Sequence, residues 1–221
     1  SGKVPAGSIN KSTIIDVKAL TKAIKDLIRK NRMAAPKAAL SFMTDPMLLQ
    51  IFELPEEMPG NIRKFLINEI KQYAILPVNK AIIDFCGLKS TAKTNAARTL
   101  VAAAQKDSII EFVNQLNKEG VNVVHVEPSP LAYARACFPN KIMGKFDRNQ
   151  LLVTINNNIL TVLLFNSQNL SFIRTKRLKT EIVNPDNISG APELLAQEIN
   201  TVIKYFDLEF PDNTGKWDIV I

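Results

Sequence analysis

Three features of the 221-residue sequence predict an α/β fold. Between Lys37 and Cys137, short apolar runs alternate with amphipathic helical segments. From Leu151 to Lys176, three apolar runs are separated by asparagine-rich corners, the pattern of an antiparallel meander. The helical segments carry apolar residues at spacings of three and four, so each has one face to bury.

In chain order, Asp16 is placed to cap a helix whose apolar positions are Val17, Leu20, Ile24, Leu27 and Ile28. Lys18, Lys22, Lys25 and Arg29 lie on another face of it. A basic stripe of this kind can touch phosphates or acidic lipid, and a solvated face is the plainer reading. No aromatics interleave with it to stack bases, which argues against nucleic acid. Pro36 ends the connector, and Lys37 to Phe42 reads as a short buried strand.

Met47 to Leu54 reads as the next strand, and Pro55 and Pro59 bracket an acidic turn, Glu56-Glu57. A helix follows with Ile62, Phe65, Leu66, Ile70 and Tyr73 on one stripe, ending before Pro77. Ala81 to Leu88 and Arg98 to Ala104 are strands joined by the polar corner Lys89 to Asn95, which completes a βαββ unit. That corner contains Lys-Ser-Thr but lacks the glycines of a Walker loop, so it is read as a hairpin loop.

Gln105 to Glu119 reads as a helix with Ile109, Ile110, Phe112, Val113 and Leu116 inward and Asp107 as its cap; Gly120 stops it. Val121 to Val126 is a strand, Glu127-Pro128-Ser129-Pro130 breaks it, and Leu131 to Cys137 is a helix. His125, the single histidine, alternates with Val124 and Val126 and has no nucleophile motif around it, so it is read as structural.

A net charge of +7 permits contact with an anionic surface and is also ordinary for a soluble domain, while 46% hydrophobic residues allow a sizeable core. Cys86 and Cys137 form no disulfide framework or metal-ligand spacing, which points to a reducing compartment. No apolar run approaches the roughly 20 residues that span a bilayer. The chain begins Ser1-Gly2 and stops inside the apolar run Trp217 to Ile221, so further sequence is expected at both ends.

The run Arg98 to Ala136, RTLVAAAQKDSIIEFVNQLNKEGVNVVHVEPSPLAYARA, resembles the type IV pilus assembly protein PilM family, in which a helix, a Gly and a Val-rich strand with an acidic residue lead to L-A-x-A-R-A. Leu54-Pro55, Gln72-Tyr73 with Pro77, and the helix EINTVIKYF from Glu198 to Phe206 extend the likeness over nearly the whole chain. The resemblance implies an actin-like fold with ribonuclease H-like lobes and an inserted βαββ small domain of SHS2 type. The first lobe would comprise residues 1–43 and 105–140, the insert 44–104, and the second lobe would begin at 150 and run to 221.

The implied function is a cytoplasmic scaffold of a type IV pilus assembly platform, peripheral to a bacterial inner membrane. It would dock the cytoplasmic tail of a bitopic partner resembling PilN and could self-associate. The groove between first lobe and insert places Phe42 and Met43 as candidate tail-binding residues, by addition of a strand with side chains in pockets.

The family's D-I-G-x-x-x-T phosphate hairpin falls here on Thr154-Ile155-Asn156, with Leu160 and Thr161 nearby. Thr154, Asn156, Asn157 and Asn158 therefore form a degenerate phosphate turn, without the glycine that admits close amide approach or the carboxylate of a metal shell. No catalytic residue, no metal and no bound cofactor are expected for this chain, while the full-length protein could regain ATP and magnesium. The alternatives are a cytoplasmic domain like GspL of type II secretion, or an actin-fold ATPase or kinase, for which Glu127 is the one candidate base.

Overall fold

Asp16 opens the first helix as its side-chain chemistry requires. Its Oδ1 accepts from the amide of Ala19 at 2.8 Å, meeting one of the donors that a helix start leaves unpaired. This comes from a computed structural model that describes residues 2–10, 13–33, 37–44, 46–57, 60–73, 76–89, 97–138, 149–156, 159–166, 169–178, 191–209 and 217–221. The Lys-Ser-Thr corner from residue 90, Pro36 and Pro59 lie outside these. The chain divides into two units. One comprises residues 1–48, 57–85 and 101–132, and the other 49–56, 86–100 and 133–221.

The first unit begins with Ile9–Asn10 (β1) and Thr13–Ile14 (β2), paired antiparallel ahead of Val17–Lys30 (α1). Lys37–Phe42 (β3) runs parallel to a later strand, Asn122–Pro128, and a register shift falls between Ala38 and Ala39. Parallel strands need a crossover, and here it carries Met47–Glu53 (β4), Ile62–Gln72 (α2), a single 3₁₀ turn at Val78–Lys80, Ala81–Leu88 (β5), Arg98–Gln105 (β6) and Lys106–Lys118 (α3). Asn122–Pro128 is thus β7. One face of the β3–β7 pair is buried by the two helices, in a core of Leu20, Phe112, Leu116 and Val121 joined by Ala38, Leu40 and Val123.

Three boundaries depart from the sequence reading. α3 starts at Lys106 with Gln105 as its cap, and Asp107 lies inside the first turn, where a carboxylate favours the positive end of the helix without capping it. Glu127 and Pro128 continue β7 instead of breaking it. The last helix of this stretch, Ser129–Cys137 (α4), begins earlier than expected, with Pro130 at a position that needs no amide hydrogen.

Gly120 ends α3 in the left-handed region, φ +83°, donating from its amide to Asn117 O at 3.0 Å while the Val121 amide donates to Leu116 O. A Cβ added there would meet nothing within 4 Å, so the penalty is backbone strain alone. Gly120→Ala is therefore expected to destabilise the first unit by about 1 kcal/mol. Urea unfolding should show a lower midpoint with an unchanged slope, and an unmoved midpoint would refute the assignment.

β4, β6 and β5 form one sheet in that order, with β6 central and almost wholly buried. The amide of Leu54 donates to Ala97 O at 2.7 Å and Thr99 Oγ1 to Cys86 O at 3.0 Å, which ties β6 to a neighbour on each side.

The second unit is organised on the meander. Asn149–Asn156 (β8), Ile159–Asn166 (β9) and Asn169–Arg177 (β10) are antiparallel, and Trp217–Val220 (β11) joins β8 in parallel, in the order β10-β9-β8-β11. β9 is an interior strand and, Thr161 aside, is apolar from Ile159 to Phe165, as suits a strand buried on both faces. On one face Leu151, Val153, Leu160, Val162 and Leu164 meet Ile199, Val202 and Phe206 of Ala191–Glu209 (α5). This helix begins before the Glu198 read from sequence. Glu198 is buried between Arg174 and Lys176 of β10 and pairs with both, which fixes α5 against that strand.

Candidate functional site

At the hairpin singled out as a phosphate turn, Asn156 pairs with Ile159, so residues 157 and 158 alone connect the two strands. Asn157 and Asn158 themselves lie outside the described residues. Thr154 stands opposite Thr161, and its Oγ1 donates back to the Thr161 carbonyl at 3.4 Å, so this hydroxyl serves its own hairpin. Thr161 is fully buried and its Oγ1 has no partner among the described residues. Neither β8 nor β9 contains an aspartate or glutamate. What the strands bring together here is a Thr154 hydroxyl already bonded within its own hairpin, a fully buried Thr161 hydroxyl and the Asn156 side chain, with no carboxylate for a cation. No group of three or more His, Cys, Asp or Glu among the described residues is arranged to hold a metal.

The second candidate region lies at the carboxyl ends of β3 and β7, the end of a parallel pair where ligands gather. Phe42 is half-buried and stands in register with Pro128. Met43 is only 7% exposed, so of the two candidates Phe42 is the accessible one. Of the residues that surround them, sequence reasoning singled out Glu127, as the candidate base of the enzyme alternative, but not Ser129. Ser41 stands opposite Glu127, and its Oγ donates to Ser129 Oγ at 3.1 Å, joining the end of β3 to the first residue of α4. Glu127 and Ser129 are both buried. The signal available in the sequence was the E-P-S-P stretch, in which a buried carboxylate and a hydroxyl sit two residues apart.

His125 is 52% exposed on its side chain, with Nε2 3.5 Å from Glu127 Oε2, so it is a surface neighbour of that carboxylate and not a core histidine. No Ser or Cys nucleophile is bonded to it in any described contact. Elsewhere in the first unit, a groove of about 660 Å³ is lined by Lys71, Leu76, Pro77, Val78 and Asn79. It contains none of the residues that the sequence marked.

With this geometry in view, the chain can be set beside known proteins. The family model for the type IV pilus assembly protein PilM matches residues 1–189. No curated protein matches the sequence. Among solved structures, a chain of a PilM-PilN type IV pilus biogenesis complex superposes with a TM-score of 0.74 at 16% identity, covering 93% of this chain and 68% of that one. The cytoplasmic domain of Epsl, an inner membrane component of the type II secretion system of Vibrio cholerae, gives 0.44 at 13% identity, over 76% of this chain and 64% of that one. A Bacteroides thetaiotaomicron protein with an actin-like ATPase fold and unknown function gives 0.41 at 11% identity, over 80% and 62%. The first match carries the fold, which is the actin-like α/β fold expected from the sequence. With 189 matched residues out of 221, this chain belongs to the type IV pilus assembly protein PilM family.

Proposed function

We propose that this PilM-family chain is an actin-like scaffold that docks the cytoplasmic tail of an inner-membrane partner resembling PilN, on the cytoplasmic side of that membrane. The observation that carries the reading is the family match, supported by the fold likeness to a PilM that forms a complex with PilN. The order of elements, β4, α2, β5, β6, supports an inserted SHS2-type domain at residues 44–104, between the halves of a first lobe at 1–43 and 105–140, with a second lobe starting at 150.

Phe42 is the residue of this chain that we assign to the tail. It is partly accessible, ends a strand whose register is fixed by β7, and adjoins Pro128 and a part-buried Ser41–Ser129 bond that ties the strand end to α4. An extended tail would add main-chain hydrogen bonds and lay an apolar side chain against it. The nucleotide site is proposed to be degenerate, because Thr154 bonds within its own hairpin and neither strand supplies a carboxylate.

Calorimetric titration tests both parts. A peptide copying the cytoplasmic tail of the bitopic partner is expected to bind, Phe42→Ala to weaken it about tenfold, and Mg-ATP to give no saturable heat. Tight ATP binding with turnover and no affinity for the peptide would sink the scaffold and put an actin-fold ATPase or kinase in its place.

A further inference from the structure

We infer that the outer flank of α1 is a docking surface for an anionic lipid membrane, engaged by this chain directly and without a partner's tail. Lys18, Lys22, Lys25 and Arg29 recur at i, i+4, i+7 and i+11, so they stack into a single stripe about 16 Å long. All four are exposed, and the core is served by other positions of the helix, Val17, Leu20, Ile24 and Ile28.

Two of the cations already have carboxylates. Lys25 Nζ lies 2.7 Å from Glu119 Oε2, and Arg29 lies 3.3 Å from Asp26 Oδ1. Lys18 and Lys22 have neither a hydrogen bond nor an ion pair among the described residues. Their place in the helix makes this unusual. The first turn of α1 contains no acidic residue, and Lys18 sits there against the positive end of the helix dipole, where a cation is disfavoured. The helix dipole therefore gives no reason for Lys18, and the Asp16 carboxylate beside it is engaged as the cap with the Ala19 amide; an external anion can pair with both lysines.

The flanks of the helix choose among anions. Ile15, immediately before the capping Asp16, is 61% exposed, and Met33, just past the other end, is 56% exposed. Both are held close to the helix ends. The Ile15 amide donates to Ser8 O at 2.8 Å, and the Met33 amide to Ile28 O at 3.1 Å. Together with the lysine stripe they place an exposed apolar side chain at each end of the helix. At a membrane surface they can enter the headgroup boundary while the lysines meet lipid phosphates. Nucleic acid fits less well, because α1 contains no aromatic side chain on which a base could stack. No helix among the described residues is long and apolar enough to cross a bilayer.

The test is co-sedimentation of the whole chain with vesicles of neutral phosphatidylcholine, and with vesicles in which about one-third of the lipid is phosphatidylglycerol. Binding is expected to the anionic vesicles only and to fade as salt shortens the screening length. Lys18→Gln with Lys22→Gln should weaken it about twenty-five-fold, at about fivefold for each charge. Lys64→Gln with Lys71→Gln, which removes two exposed charges from α2, should leave it unchanged, and circular dichroism should show both variants folded. No partner peptide is present, so the outcome is independent of tail docking. Absence of binding to anionic vesicles would overturn the proposal, as would equal losses in the two double variants. Tighter, Lys18- and Lys22-dependent binding to DNA than to vesicles would assign the face to nucleic acid and overturn it too.

Discussion

Phe206→Ala is expected to destabilise the second unit by about 4 kcal/mol, the usual scale for truncating a buried phenylalanine. The ring is 1% exposed and sits in the cluster that joins α5 to β8 and β9. It also meets Trp217 of β11 edge to face, with centroids 5.3 Å apart and planes at 84°, a geometry that contributes beyond area burial. Removing it takes contacts from the helix, the meander and the parallel edge strand together. A loss of this size is a large part of the stability of an ordinary domain. Because Trp217 is the single tryptophan, its fluorescence during urea unfolding reports on this unit specifically. Phe206→Leu, which keeps most of the volume, should cost about 1 kcal/mol. If alanine and leucine gave the same small loss, the cluster would not be the packed core that organises this half.

Arg98→Ala should cost about 3 kcal/mol, for a different reason. Arg98 begins β6 with 7% exposure, and one guanidinium nitrogen donates to the carbonyl of Ser171, at the point where the register between β9 and β10 shifts. The other terminal nitrogen, Nη1, has no partner among the described residues. Alanine would leave the Ser171 carbonyl buried without its donor and would remove the packing of the aliphatic stem. Arg98→Met retains that stem and eliminates a buried charge, so it should recover more than half of the loss.

Burial pushes the Arg98 guanidinium below its ordinary pKa, and the nearby Glu53 opposes this in part. A base whose folded pKa is lowered disfavours folding while it is protonated, and the penalty lifts only as pH rises through that folded value. Arg98 should therefore add no pH dependence to stability across the neutral range. Urea midpoints of the wild type and the two variants, followed across that range, check both statements. Equal destabilisation by alanine and methionine would mean that the bond to Ser171 dominates and stem packing contributes little.

Segments whose structure is decided within a few residues were legible in the sequence. Asp16 capping α1, the bounds of the β3 strand at Lys37–Phe42, β5 at Ala81–Leu88 and the three strands of the meander all follow from local periodicity, capping and turn chemistry, although β3, read as buried, alternates exposed and half-buried residues. The Thr154–Asn156 hairpin was located for the same reason, since asparagine corners between apolar runs are short-range signals. The family followed from the order of these local pieces, because that order is a property of the chain itself.

What could not be read locally depends on residues distant in the chain. β1 and β2 are two residues each, too short for any periodicity, and exist through their pairing with one another. Glu127 and Pro128 read as a break, yet they extend β7 because β3 holds them in register opposite Ser41 and Phe42. Met43 and Phe42 have similar apolar character in sequence, and only packing made one buried and the other half-open. The same holds for charge. Glu198 looks like any helical glutamate until β10 presents Arg174 and Lys176 to it, and along α1 only the folded chain shows that Lys25 meets the Glu119 carboxylate while Lys18 stays exposed. Backbone propensity and turn chemistry act over three or four residues, whereas burial and ion pairing belong to surfaces that only the folded chain assembles.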